Sequence, residues 1–418
     1  MNKRRTRPNW FRIILLILLV LAAAYVNRFV VADIQPLGVP SPTPTIAPET
    51  LLAEAEELFK QGKLIPAIDV YQQAVITQPD NPAAHIALAR TQAFAGKYKE
   101  AQTSAEDALL LNPNNSMAHA VRAWALNFQG EYLEAESSIK RALELDPNNA
   151  LAHAYYVEIL VDSYYSGLGD FDGLEKAAEE SKVAQTLAPD LLETHRARGY
   201  ILEATGNYEE AIAEYEAAIA INPNIADLYL AKGRNYRTLG VYDEAVDAFT
   251  RADSLNPQDP NPDLLLSRTY ATVGEYGKAL QFAKSAVTNN PADTNLRGNY
   301  GVMLYRNAYW TEAVQELSYV VKGGLSTDGN EMEVINLTPE SPQRIAEYYF
   351  TYALALARLD QCGEALQIAQ LIISRIPADE LAVGNANEAT NRCQQNLNAP
   401  LSTPTVESTP EAEATPTP

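Results

Sequence analysis

Glycine and proline return on a fixed stride through this chain. Gly62, Gly96 and Gly130 stand 34 residues apart, as do Pro79, Pro113 and Pro147. After an interruption the stride resumes, with Gly206, Gly240 and Gly274 in step with Pro223, Pro257 and Pro291. A period of this length points to an array of small units rather than one globular core, each unit burying a face against the next. Within a unit, small and apolar residues recur every three or four positions on either side of a Gly-x-aromatic turn, which predicts two amphipathic helices. The glycine breaks the first helix, where a positive φ is cheap for it. A small alanine (Ala101, Ala135, Ala211, Ala245) lets the second helix approach the first, and the proline ends the second.

The unit resembles the tetratricopeptide repeat. Counting the turn glycine as position 15, that family places an aromatic at about 17, Ala at 20, an aromatic at 24, Ala at 27 and Pro at 32. Residues 226–259 carry Gly233, Tyr236, Tyr242, Ala245, Phe249, Ala252 and Pro257 in this register. Residues 192–225 carry Gly199, Tyr208, Ala211, Tyr215, Ala218 and Pro223. Seven units follow the pattern over 48–293. The fourth, 150–191, holds eight extra residues, expected as a lengthened turn between its helices. The eighth keeps Gly301, Trp310 and Ala313 and then lapses; the ninth returns with Ala353, Ala365 and Pro377, and "ADELAVGNANEATNRCQQ" reads as a capping helix. The resemblance implies an all-α, right-handed superhelical solenoid of about nine helix-turn-helix repeats over 49–398.

The four histidines, His85, His119, His153 and His195, all fall at position 4 of the first helix. Successive first helices lie about 8–10 Å apart, too far for ligands that must converge within about 2.1 Å of one ion. They are therefore expected to pack rather than bind metal. Neither a nucleophile elbow, a phosphate-cradling loop, a dinucleotide fingerprint nor an HExxH pair occurs, so neither catalysis nor a cofactor is expected. Asp170, Asp172 and Glu175 lack the ligand series of a calcium loop. Cys362, beside the ninth turn, and Cys393, in the capping helix, fall on the same edge of the array and are expected to form a disulfide.

Function is expected in binding. In the family's superhelix, positions 2, 5, 9, 12 and 13 of the first helices face the concave side. Here they collect Arg90, Arg234 and Arg268 at 9, Arg237 at 12, Arg196 at 5, and Arg306 and Arg358 at 13. Trp124 and Tyr200 at 9, with Phe94 and Phe128 at 13, add aromatic surface. Arginine and aromatics anchor interfaces, so the expectation is a scaffold that holds a protein or peptide in its groove. Each arginine has an alternative local partner in Glu193, Glu203 or Asp227. A rival reading has Trp124, Phe128 and Tyr200 stack against a carbohydrate or wall polymer. The family's carboxylate clamp with Asn at position 9 is not expected, because no unit has that residue there.

Charge is unevenly spread. Net charge is −21, yet residues 1–48 balance to +5, leaving −26 for the rest. So acidic a body excludes nonspecific binding to nucleic acid. Residues 1–12 are read as a basic cytoplasmic segment and 13–32 as a transmembrane signal anchor, with cleavage after Ala22-Ala23-Ala24 as the alternative. Residues 33–48 are expected to form a Pro/Thr-rich linker and 399–418 a disordered tail. This topology would make the chain a single-pass membrane protein with its repeats outside the cytoplasm.

Overall fold

The computed structural model describes residues 10–29, 47–341 and 343–398. The tail at 399–418, most of the linker and the first nine residues lie outside the described residues. The chain forms two compact units, Met1–Leu51 and Leu52–Pro418.

In the first unit, helix α1 runs Trp10–Phe29. Among the described residues no helix is long and apolar enough to cross a membrane. This overturns the single-pass topology and leaves the membrane anchor, and the placement of the repeats outside the cytoplasm that rests on it, without support. The physical reason lies in the apolar run. Arg12 precedes it and Asn27 and Arg28 follow, leaving residues 13–26. At 1.5 Å per residue that stretch spans about 21 Å, against about 30 Å of hydrocarbon.

The second unit is a stack of helix pairs. Its first pairs are α2 (Pro48–Lys60) and α3 (Leu64–Thr77), α4 (Pro82–Phe94) and α5 (Tyr98–Leu111), and α6 (Ser116–Phe128) and α7 (Tyr132–Leu145). The middle of the array holds α8 (Ala150–Ser166) and α9 (Gly173–Leu187), then α10 (Leu192–Ala204) and α11 (Tyr208–Ile221). After these come α12 (Ala226–Thr238) and α13 (Tyr242–Leu255), then α14 (Pro260–Thr272) and α15 (Tyr276–Asn289). The pair α16 (Thr294–Arg306) and α17 (Trp310–Lys322) leads into a short antiparallel ribbon, β1 (Gly324–Leu325) and β2 (Glu331–Met332). The array ends with α18 (Gln343–Arg358), α19 (Cys362–Arg375) and α20 (Glu380–Asn398).

Local chemistry sets the boundaries. Asn81, Asn115, Asn149, Asp259 and Asp293 cap the first helices α4, α6, α8, α14 and α16 by accepting from free N–H groups of the first turn. The turn glycines adopt φ between +69° at Gly62 and +83° at Gly274. Where units eight and nine lack that glycine, Ala308 (φ 64°) and Asp360 (φ 56°) take the left-handed conformation instead. Close packing follows the small residues. A side chain at Gly233 would come within 2.5 Å of the Phe249 ring, and one at Gly199 within 2.8 Å of Tyr215.

Two departures from the sequence pattern become clear. The extra residues of the fourth unit are not only a longer turn: α8 has 17 residues where α6 has 13, so part of the insertion extends the helix. The lapsed segment after α17 docks through Asp328, whose carboxylate takes Arg297 Nη2 at 2.7 and 2.5 Å. Cys362, at the start of α19, is bonded to the buried Cys393 of α20, Cα atoms 5.4 Å apart, which ties the last helix to the stack. The array also curls onto itself. Asn222, after α11, donates its Nδ2 to the Phe59 carbonyl at 3.2 Å, and Gly62 packs against Asn224.

Candidate functional site: the inner face of the first helices

Position 4 has a recurring task. The Nε2 atoms of His85, His119 and His153 lie 3.1, 3.0 and 3.0 Å from the carbonyls of Pro79, Pro113 and Pro147, each six residues earlier. A carbonyl only accepts, so each ring carries its proton on Nε2. In later units the Tyr229 hydroxyl reaches Pro223 at 3.0 Å and Arg297 Nε reaches Pro291 at 2.9 Å. Asp263 cannot donate; there Asn289 Nδ2 supplies the bond to Pro257 at 3.0 Å. Each donor satisfies a carbonyl at the junction between units, so His85, His119 and His153 share one structural role, while His195 meets Glu214 through Nδ1 at 2.7 Å.

The inner face is a charge network. Arg90 on α4 meets Glu193 on α10, its Nη2 2.6 Å from the carboxylate. Residues 103 apart in sequence touch because the array is tightly curved. Arg196 on α10 is buried between Glu158 of α8 and Asp227 of α12, the latter at 2.7 Å. Its guanidinium lies over Trp124, 5.2 Å from the ring centroid. Trp124 Nε1 donates to the other oxygen of Glu158 at 2.9 Å, so both oxygens of that buried carboxylate are satisfied. Burial weakens Arg196's hold on its proton, but Glu158 and Asp227 outweigh it and hold the guanidinium charged. Burial likewise pushes the Glu158 carboxyl up, with Arg196 and Trp124 opposing. Arg234 pairs with Glu203 at 3.1 Å.

The candidate residues thus divide. Arg90, Arg196 and Arg234 are engaged within the chain by Glu193, Glu158 with Asp227, and Glu203. Glu158, absent from the sequence-derived set, carries a signal: like Glu56 it is an acid at position 9, where five other units place Arg, Trp or Tyr. Trp124 is 1% exposed and stacked on Tyr155 at 4.4 Å, so it has no face for a sugar. The Tyr200 hydroxyl donates to Asp162. Arg306 lies over Tyr276 at 5.8 Å. Arg237 and Arg268 have no carboxylate partner among the described residues.

Above the network lies a cavity of about 400 Å³. Phe94, Tyr98 and Phe128 border it from the α4–α6 side, and Asp227, Arg234, Asp259 and Arg268 from the α12–α14 side. Tyr98 and Phe128 are stacked, ring centroids 4.5 Å apart. The arrangement combines aromatic walls with charged groups of both signs, which suits recognition of a polar chain.

Family models and solved structures match parts of this chain. Three tetratricopeptide-repeat family models match residues 58–125, 118–149 and 196–260. No curated protein matches the chain. Among solved structures, PilW, described as a widely conserved type IV pilus biogenesis factor, is 23% identical, with 49% of this chain and 91% of that one covered and a TM-score of 0.43. The Cut9–Hcn1 hetero-tetramer of the APC/C is 16% identical, with 62% and 56% covered and a TM-score of 0.45. A tetratricopeptide-repeat protein from Parabacteroides merdae is 17% identical, with 62% and 98% covered and a TM-score of 0.41. With matching repeats in both halves of the helix stack, the chain is a tetratricopeptide-repeat protein, built as a protein–protein interaction scaffold.

Proposed function

We propose that the repeats over 49–398 form a non-catalytic scaffold that holds a segment of a partner protein in the groove between α4–α6 and α12–α14. The cavity of about 400 Å³ carries this reading, because its walls are aromatic and its rim presents both acids and arginines. Such a mixture anchors peptide side chains and satisfies backbone polar groups. The reading calls for neither cofactor nor metal. A polymer-stacking role finds less support, since Trp124 is sealed and the Tyr200 hydroxyl is engaged.

The test uses peptides selected from a displayed random library against the purified chain. A photoreactive residue is placed at Ala95 or Leu264, which border the cavity, or at exposed Lys182 or Glu209 on second helices. Crosslinks from Ala95 and Leu264 alone are expected. Crosslinks confined to Lys182 and Glu209 would remove the groove from the account.

A further inference from the structure

Arg306 and Arg358 lie over the Tyr276 and Trp310 rings, whereas two other inner-face arginines stand outside both the charge pairing and these ring contacts. Arg237 on α12 and Arg268 on α14 have no ion pair to a carboxylate among the described residues. Instead they share their surroundings with Arg344, in the first turn of α18, which itself meets Glu347 at 3.1 Å. The Tyr348 hydroxyl of α18, which donates to the Asn295 carbonyl at 3.1 Å, favours the charged form of Arg268. The Nε of Arg268 is buried and has no hydrogen-bond partner among the described residues. A buried N–H without an acceptor is a rare feature of a native fold and costs stability until an acceptor arrives.

The charge balance sharpens the point. In a chain of net charge −21, the charged side chains that act on Arg268 are Arg344 and Arg237, and the one that acts on Arg237 is Arg344; no carboxylate is among them. Burial, then the fields of Arg344 and Arg237, lower Arg268's affinity for its proton, and burial and Arg344 do the same to Arg237. An anion seated here would supply the missing acceptor and offset both repulsions. Arg268 borders the groove cavity, so the site continues the groove rather than standing apart from it.

We propose that Arg237, Arg268 and Arg344 form a carboxylate-binding site that takes an acidic side chain of the protein segment lying in the groove. This rests on the scaffold reading. The guanidinium fork matches a carboxylate's two oxygens, and that match sets which segments the groove selects.

The experiment measures fluorescence polarisation of a fluorescein-labelled octaglutamate peptide titrated with the full chain at low salt. The unmodified chain is compared with Arg237→Gln/Arg268→Gln and with Arg141→Gln/Arg375→Gln, exposed arginines of the second helices α7 and α19, two double variants of equal charge change. The first double variant is expected to weaken binding by roughly tenfold to a hundredfold, the loss of charge-assisted hydrogen bonds. The second is expected to change it less than about threefold. Equal losses in both variants, or none in the first, would overturn the site. Peptide should also raise the melting temperature of the unmodified chain by mass action and not that of the first double variant, and an equal shift in both counts against the proposal. If Arg237→Gln/Arg268→Gln does not fold, Arg237→Gln alone is used with the same expectation. Displacement of the peptide by inorganic phosphate at matched charge and ionic strength would assign the site to a free anion and overturn the peptide assignment. Library peptides that crosslink at Ala95 but ignore these arginines would sink this site and leave the scaffold standing.

Discussion

A left-handed residue must close each first helix, and the chain meets that need unevenly. Gly206, Gly240 and Gly274 do so without a Cβ, whereas Ala308 is held at φ 64° at the same place in its repeat. An L residue there carries about 1–2 kcal/mol of strain, partly offset by glycine's greater freedom in the unfolded chain. Ala308→Gly is therefore expected to stabilise by up to about 1 kcal/mol, read as a higher melting temperature with slower hydrogen exchange in α16 and α17. No gain would mean that the strain is relieved elsewhere. His153 poses a different problem, because both its ring nitrogens face acceptors, the Pro147 carbonyl and the Glu180 carboxylate. Only the imidazolium donates to both. Burial pulls its pKa down, but the bonds to Glu180 and Pro147 and the Glu180 charge raise it above the ordinary 6.5. A raised folded-state pKa stabilises fully below the unfolded value and loses that contribution as pH climbs through the folded one. Glu180→Gln should thus lower the melting temperature more at pH 5.5 than at pH 8.5; an equal loss at both would show that His153 is not charged.

The helix pairs were legible residue by residue, because glycine, alanine and proline recur for reasons internal to each unit. Gly233 against Phe249 and Gly199 against Tyr215 are contacts between positions 8 and 24 of one hairpin, so spacing alone announces them. Two elements were not legible. The insertion in the fourth unit gave no sign that α8 would lengthen, since helical spacing continues through "DSYYS" as easily as a turn begins. The ribbon after α17 depends on Arg297 reaching Asp328, 31 residues on, a pairing no local period encodes. At the other end, α20 has only one side of the stack to pack on, and the Cys362–Cys393 bond closes a loop with sequence separation 31 across that junction. By chain entropy such a loop contributes about 3–4 kcal/mol. Reduction, or Cys362→Ala/Cys393→Ala, should fray α20 first, seen as faster hydrogen exchange at 380–398 with α4–α8 unchanged. Uniform acceleration along the array would instead mean that the stack unfolds as one unit.

At the scale of the array, curvature decides which charges meet. The inner-face arginines were legible from position, and Glu193, Glu203 and Asp227 were legible as acids able to answer them. That Arg90 finds Glu193 across 103 residues, and that Glu158 sits beneath Arg196, follows from how tightly the units curl, a sum of small rotations that sequence spacing leaves open. The curl closes where Asn222 holds the Phe59 carbonyl and Gly62 lies against Asn224, beside the Arg90–Glu193 pair. A Cβ at Gly62 would come 1.9 Å from the Asn224 Cβ and 2.7 Å from its carbonyl oxygen, which backbone cannot yield without moving a whole turn. Gly96 supplies the control. It has φ +74°, close to the +69° of Gly62, but a Cβ there meets nothing within 4 Å. Gly62→Ala and Gly96→Ala therefore share a left-handed penalty of about 1–2 kcal/mol, and only the first also pushes the array apart. Small-angle scattering should show a larger radius of gyration for Gly62→Ala alone, with hydrogen exchange rising at 59–63 and 222–224. Because Arg90 and Glu193 meet across the same curl, their pairing should loosen with it and the groove between α4 and α12 should widen. If the two variants scatter alike, the Asn222–Phe59 contact follows the curvature and does not hold it.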